Sequence, residues 1–264
     1  MKKAFLLLVL LPVVSVDAAT ALFPKPLHLV KRVDDPFAKS AKTVDQYCYG
    51  NRIVTVAGDH VTILDYDAQT LTEIDHARAT YSVTRFDELA NARPKALAQT
   101  VAAGTSPKVT SQGMKSSRSG RSVDSFEVEV PHTRVSIGVD RSVALSRAAV
   151  EALIGASYPN VRRPEHDAIL GAAGPAARGG RLSANSTAGS VDAAEYGLPS
   201  EQTVTIDSDG GAVTLRTSVL RFDADLPPAR AMLIEQGAKR VESPTARFAR
   251  EMKDADTIPV APRP

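Results

Sequence analysis

Residues with chemically reactive side chains are few in this sequence and stand apart from one another. The chain holds five histidines and a single cysteine, Cys48. The histidines lack the close His-x-x-x-His spacing and the cysteine partners that zinc sites use; they are His28, His60, His76, His132 and His166. The sequence therefore predicts no metal site and no cofactor.

Motifs for covalent or nucleotide chemistry are also missing from the sequence. It contains no Gly-x-Ser-x-Gly elbow, no phosphate loop and no dinucleotide fingerprint. Residues 165–167 (Glu-His-Asp) gather acid and base groups, but in an Ala-, Gly- and Ser-rich stretch where catalytic geometry is hard to hold. Residues 65–69 resemble the start of a calcium loop without its glycine and glutamate, and are interpreted as a turn. We predict that the protein is not an enzyme, with a secreted hydrolase of unrecognised type as an alternative.

The N-terminus has the order of a secretory signal peptide. Two lysines follow Met1, and the apolar run 4–16 then leads into the small-residue region 17–21. The run is too short for a membrane span, and Pro12 interrupts it. We expect residues 1–21 to be removed, which leaves a mature protein without a transmembrane anchor in the bacterial periplasm or outside the cell.

Charge and composition narrow the possible partners. Lys and Arg number 32 against 30 Asp and Glu, a net charge of +2, so no strong field attracts nucleic acid. With 5% aromatic residues and no Trp, the chain is poorly suited to a large aromatic-lined site for sugars or bases. In an oxidising compartment the lone Cys48 is predicted to be a buried, small apolar residue, with a disulfide dimer as the alternative.

The N-terminal part of the chain has the pattern of an antiparallel meander. Short runs rich in Val, Ile, Thr and Tyr are separated by Gly, Asp, Asn and Pro. They predict strands at 27–33, 44–49, 52–57, 60–65, 70–74 and 79–83. Apolar residues alternate along the later strands, so we expect the sheet to have one clearly apolar face.

The rest of the chain mixes strands, helices and two stretches of low periodicity. Helices are predicted at 86–102, where Pro94 is a defect, and at 145–156 and 244–252. Further strands are predicted at 125–130, 133–139, 201–207 and 212–222. The Ser-, Gly- and Ala-rich stretches 104–122 and 160–190 are interpreted as flexible insertions. The pattern indicates a mostly β, α+β protein with one domain, 22–258, and a disordered tail, 259–264.

Part of the meander resembles a known family. The runs are Tyr47-Cys48-Tyr49-Gly50-Asn51-Arg52-Ile53-Val54-Thr55-Val56, Ile63-Leu64-Asp65-Tyr66-Asp67, Leu71-Thr72-Glu73-Ile74-Asp75 and Thr80-Tyr81-Ser82-Val83-Thr84-Arg85-Phe86-Asp87-Glu88-Leu89. They look like the N-terminal module of uncharacterised exported bacterial proteins, which is similar to the lipoprotein-carrier (LolA and LolB-like) superfamily. The resemblance implies a curved antiparallel sheet, an unclosed half-barrel, with a few helices packed on its concave face.

The resemblance also implies a function, namely binding by burial of apolar surface. A half-barrel would hold an acyl chain or a lipidated peptide, which makes a lipid or a lipidated protein the expected partner. The residues predicted to line the cavity are Val54, Val56, Val61, Ile63, Tyr81, Val83, Phe86 and Leu89. Two alternatives stay open: these residues simply fill a core, or the protein is an envelope sensor that acts through contact with an envelope protein.

Overall fold

The computed structural model describes residues 21–35, 40–92, 108–130, 133–157, 169–175, 195–208 and 211–255. The predicted signal peptide lies outside these residues except for Ala21, and so does the predicted tail. His132 and the acid-base cluster 165–167 also lie outside them.

Twelve strands form one curved, unclosed sheet. They are β1 (Phe23–Asp35), β2 (Ser40–Gly50), β3 (Arg52–Ala57), β4 (His60–Asp65), β5 (Thr70–Asp75), β6 (Thr80–Arg85), β7 (Lys108–Ser116), β8 (Ser122–Val130), β9 (Thr133–Leu145), β10 (Tyr196–Ser208), β11 (Gly211–Asp223) and β12 (Lys239–Arg240). Their order across the sheet is β12-β6-β5-β4-β3-β2-β1-β11-β10-β9-β8-β7. The fold is therefore α+β and mostly β, which confirms the predicted class.

Strand β1 joins the N-terminal meander to the C-terminal strands. It pairs antiparallel with β2 on one edge and with β11 on the other. His28 stands opposite Tyr47 of β2 and opposite Asp223 of β11. The first and last long strands are thus hydrogen-bonded neighbours, and both halves of the chain belong to a single sheet.

Five helical segments accompany the sheet in the residues that the structure describes. Four are α1 (Phe86–Ala92), α2 (Arg147–Ser157), α3 (Pro244–Ala255) and a 3-10 helix (Ala229–Met232), and the fifth comprises residues 169–173. Helix α1 begins where the sequence predicts, and the position of Pro94 lies outside the described residues. Ser146 caps α2, since its Oγ accepts the backbone N–H of Ala149 at 3.1 Å.

Helix α2 fills the concave face of the sheet. On one side Ala149, Ala152 and Leu153 pack against the central strands, where Leu29, Cys48, Ile53, Leu198 and Val219 are buried. On the other side Val150 and Ile154 pack against β8 and β9, together with the buried residues Phe126, Val128, Val135, Ile137, Val139, Ile169 and Leu170. The two clusters form the main core.

Part of the opposite, outer face is covered by an extended segment of the chain itself. Residues 224–241, called the strap here, run from the end of β11 to the β6 edge of the sheet, where Lys239–Arg240 pairs parallel with β6. Ala231 and Met232 in the strap pack on an apolar cluster of β2 to β5. The His76 ring donates from Nε2 to the Ala231 carbonyl at 3.1 Å, which ties the strap to the sheet.

Parts of the two stretches predicted as flexible insertions have regular secondary structure. Within 104–122, Lys108–Ser116 is edge strand β7, paired with β8. Its residues are mostly polar because residues 110–116 are all exposed; Val109 packs on the core. Within 160–190, residues 169–173 are helical and all but Gly171 are buried, and Arg141 donates to the carbonyls of Ala172, Ala173 and Gly174.

Candidate functional site

Most of the residues predicted to line a cavity form a small core under the strap. Val54 and Val61 are fully buried, and Val56, Ile63 and Tyr81 are partly buried beside them. Met232 of the strap closes this cluster and accepts a hydrogen bond from the Tyr49 hydroxyl at 3.2 Å. The chain's own side chains thus cover this part of the sheet.

The remaining predicted residues divide between the two faces. Val83 is half-buried. It stands opposite Thr72 in a row of cross-strand neighbours that continues through Ile63 to Val54, so its side chain faces the strap. Phe86 and Leu89 lie on α1, and the Phe86 ring meets Tyr66 edge to face at 5.6 Å. Tyr66 packs on the concave core, on the opposite side of the sheet. Phe86 therefore contacts the side of the sheet opposite to the one that Val54 and Val83 face.

The structure instead contains an open cleft of about 950 Å³ at one end of the sheet. It lies between the start of β1, the end of β9 and the first turn of α2. Its walls are Ala21, Leu22, Phe23, Pro24, Lys25, Pro26, Leu27, Ser142, Val143, Ala144, Leu145, Ser146, Arg147, Ala148, Glu151 and Phe222.

Local irregularities in the strands open this cleft. The pairing of β1 with β11 ends at His28 and Asp223, so the first residues of β1 lack a partner on that side in the described chain. The register of β1 against β2 also shifts between Phe23 and Leu27, where Pro24 and Pro26 remove two backbone donors. The strands separate here, and α2 begins beside the gap.

The cleft is apolar inside and charged at its rim. Phe23 and Leu27 are buried at its base, and Phe222 is half-buried in its wall. Arg147 Nε lies 2.9 Å from Glu151 Oε1, and Lys25 is exposed nearby. Such a site suits a ligand with an apolar body and a polar end.

The Phe222 ring in the cleft wall contacts Arg121. The guanidinium of Arg121 lies 3.8 Å from the centre of the Phe222 ring, a cation–π contact. Arg121 also donates to Asp140 Oδ2 at 3.2 Å. Burial raises the pKa of Asp140, but hydrogen bonds from Ser142 and Arg121 outweigh it and hold that pKa below its usual range.

Cys48 is buried, as the sequence predicts, and its thiol is unsuited to nucleophilic chemistry. Burial raises the pKa of Cys48 to about 12, so the thiol stays protonated. Lys31 is buried near it, and burial lowers the pKa of this lysine to about 8. Burial similarly raises the pKa of Tyr66 to about 12.

A cluster around His28 on the outer face was not found by sequence reasoning. His28 Nδ1 lies 2.8 Å from Asp223 Oδ1, and Nε2 lies 2.9 Å from Asp45 Oδ1. The ring is 4% exposed and stacks on Tyr47 with centroids 4.1 Å apart. Asp225 adds a third carboxylate beside Asp223. Because 195 residues separate His28 from Asp223, local spacing carries no signal of this contact.

The groups of this cluster shift the pKa values of Tyr47 and Asp223. Burial, and then the charges of Asp45, Asp223 and Asp225, raise the pKa of Tyr47. The backbone N–H of Asp225 and the His28 ring hold the pKa of Asp223 below its usual range, against the opposing effect of burial. The negative charges of the three carboxylates thus disfavour ionisation of the Tyr47 hydroxyl.

The other residues considered for chemistry have structural contacts. His60 Nδ1 lies 3.6 Å from Asp75 Oδ2 in the neighbouring strand. Asp65 Oδ1 accepts hydrogen bonds from the backbone N–H groups of Asp67 and Ala68, which confirms that residues 65–69 form a turn.

Among the helices in the described chain, none is long and apolar enough to span a bilayer.

Comparison with known proteins gives no family. No family model matches the chain. No curated protein matches it either. Two solved structures align with 87% of the chain: "Structure of PNGF-II in C2 space group", with a TM-score of 0.37 and 6% identity, and "Structure of PNGF-II in P21 space group", with 0.38 and 5%. The chain spans about a third of the length of these proteins, 33% and 34%. A likeness this weak has no bearing on function, and the resemblance to lipoprotein carriers stays a prediction.

Proposed function

We propose that the protein is an exported, non-enzymatic binding protein that holds an apolar ligand, an acyl chain or a lipidated peptide, in the cleft between β1, β9 and α2. The observation that carries the proposal is the cleft of about 950 Å³ with Phe23, Leu27 and Phe222 in its walls. Ligand sites in proteins are concave, mainly apolar and about 300–1,000 Å³ in volume.

Binding in such a cleft needs no reactive group. Each methylene moved out of water contributes about 0.8 kcal/mol, so ten methylenes contribute about 8 kcal/mol before the cost of association. Lys25 and Arg147 at the rim are placed to meet a polar or anionic end of the ligand. An acyl chain is therefore expected to bind with micromolar affinity or weaker.

Displacement of a fluorescent fatty acid by palmitate tests this proposal. Ala148→Trp places an indole inside the cleft, since Ala148 is exposed and lines it, and should weaken palmitate binding at least tenfold. Ala212→Trp is the matched control, because Ala212 is exposed on β11 and does not line the cleft. Unchanged binding in Ala148→Trp, or no saturable binding by the unmodified protein, would contradict the proposal.

A second candidate function, an envelope sensor acting through protein contact, is favoured by the surface of the strap. Four large apolar side chains are exposed there: Leu226, Leu233, Ile234 and Val241. Exposed apolar residues in one short segment are typical of contact surfaces. If this function holds, the unmodified protein should capture one envelope protein, and the double variant Leu233→Asp, Ile234→Asp should not. Equal capture by the unmodified protein and the double variant would contradict this function.

A further inference from the structure

We propose that His28, Asp223 and Asp225 form a binding site for a divalent transition metal ion of the zinc class on the outer face of the sheet. The site is separate from the cleft and does not depend on the proposed function. It adds a ligand that neither the sequence pattern nor the comparisons assign.

The positions of the three side chains fit one ion. Each residue offers one ligand atom, and these atoms all lie within 4.8 Å of one another. Ligands at about 2.0–2.2 Å from zinc stand roughly 3–3.5 Å apart around it. His28 Nδ1 and Asp223 Oδ1 share a hydrogen bond of 2.8 Å, and an ion that replaced the shared proton would move these atoms apart by about 0.5 Å. Asp225 is exposed, so its carboxylate can turn toward the other two.

The charges around the site favour a divalent cation. Three carboxylates, those of Asp45, Asp223 and Asp225, surround a single imidazole. Arg221 Nε lies 3.5 Å from Asp223 Oδ2. One imidazole and one guanidinium cannot balance three carboxylates. A divalent ion bound by these groups would remove the excess negative charge.

The surroundings of His28 match those of a metal-ligating histidine. Such a histidine donates its second ring N–H to a carboxylate, which fixes the tautomer and the ring orientation. Asp45 Oδ1 stands 2.9 Å from His28 Nε2 in this role, and the Tyr47 ring, stacked with an interplanar angle of 8°, holds the plane of the imidazole. Nδ1 is thereby directed toward Asp223 and the ion.

The ligand types indicate the class of metal. One imidazole nitrogen with two carboxylates suits zinc and its neighbours, whereas calcium takes six to eight oxygen ligands. Three protein ligands leave a coordination position for water, which the exposed side of Asp225 can admit.

Isothermal titration of the EDTA-treated, dialysed protein with Zn²⁺ tests the site. We expect one saturable site per chain, a loss of affinity of at least tenfold in Asp225→Asn, and a loss of about tenfold in Asp45→Asn, which removes only the positioning carboxylate. His60→Gln is the matched control and should bind as the unmodified protein does, because His60 is exposed on another hairpin.

The test does not require a substitution at the buried His28. Asp225 is exposed, so its replacement should leave the fold intact, which circular dichroism can verify. The proposal is overturned if the unmodified protein shows no saturable Zn²⁺ binding, if Asp225→Asn retains full affinity, or if His60→Gln loses as much affinity as Asp225→Asn. Saturable binding of Ca²⁺ with equal affinity would also overturn the assignment to the zinc class.

Discussion

His28 of β1 and Asp223 of β11 stand opposite each other in the sheet, with His28 Nδ1 2.8 Å from Asp223 Oδ1. The residues that precede them, Leu27 and Phe222, line the cleft on the other face. The cleft and the His28 cluster are therefore built on the same two strand ends, back to back. Any change that frees the end of β11 from β1 should affect both.

Replacing His28 tests how much this junction contributes to stability. His28→Ala removes two charged hydrogen bonds and a ring stack, so we expect the free energy of unfolding to fall by about 2–4 kcal/mol. Urea unfolding with EDTA present measures it. His60→Ala, at a more exposed pair, should change the value by less than about 0.5 kcal/mol. Equal effects of the two variants would refute the structural role of the cluster.

Truncation of Val54 distinguishes a core residue from a ligand-binding residue. Val54 is fully buried under the strap, so Val54→Ala should lower the free energy of unfolding by about 1–3 kcal/mol without changing palmitate affinity. Unfolding and fluorescent displacement measure the two effects. A loss of affinity with unchanged stability would contradict this expectation and support the sequence prediction that Val54 lines a ligand cavity.

Because Lys31 is buried, we expect its replacement by an apolar residue to raise the free energy of unfolding by an amount that depends on pH. Burial lowers its pKa from 10.5 to about 8, so between these values the unfolded chain binds more protons and stability rises with pH. Lys31→Met should therefore raise the free energy of unfolding by about 1–3 kcal/mol at pH 7, with the gain shrinking as pH approaches 10. Lys42→Met, at an exposed position, should show no such trend. A gain that does not depend on pH would show that Lys31 is not destabilised by burial.

Arg141 should control the order of the helical residues 169–173. Its guanidinium donates to three carbonyls at the end of that helix, and its Nε donates to Asp124 at 3.0 Å. In Arg141→Met, amide hydrogen exchange should accelerate at residues 169–173 while β2 to β5 stay protected. Arg134→Met, an exposed arginine on the same strand, is the control. Equal protection in both variants would show that the apolar contacts of Ile169 and Leu170 suffice.

Local patterns predicted the meander well. The predicted bounds of β3 and β4 agree with the structure, because alternating apolar residues and the turn at Gly58, with a φ of 62°, are encoded within a few residues. The same signals are weak in β7, whose side chains are mainly polar, and absent from the strap, which has an irregular course. Both segments were consequently not recognised as structured.

The cleft and the His28 cluster are formed by residues that lie far apart in the sequence, so local sequence patterns do not reveal them. The apolar alternation of Val54, Val61 and Tyr81 correctly indicates one face of the sheet. That face is covered by Ala231 and Met232 of the strap, about 150 to 180 residues later in the chain. The cleft needs residues from β1, β9 and β11, and the His28 cluster needs β1, β2 and β11. Strand order alone brings these residues together, and it was not predictable from periodicity.

The most direct test of ligand binding in the cleft uses the absence of tryptophan from the chain. Phe222→Trp places the single indole in the cleft wall, whereas Phe86→Trp places it beside Tyr66, among the residues that the sequence predicted as lining. Titration with palmitate should shift the emission of Phe222→Trp saturably and leave that of Phe86→Trp unchanged. No shift in Phe222→Trp, or an equal shift in both variants, would contradict binding in the cleft.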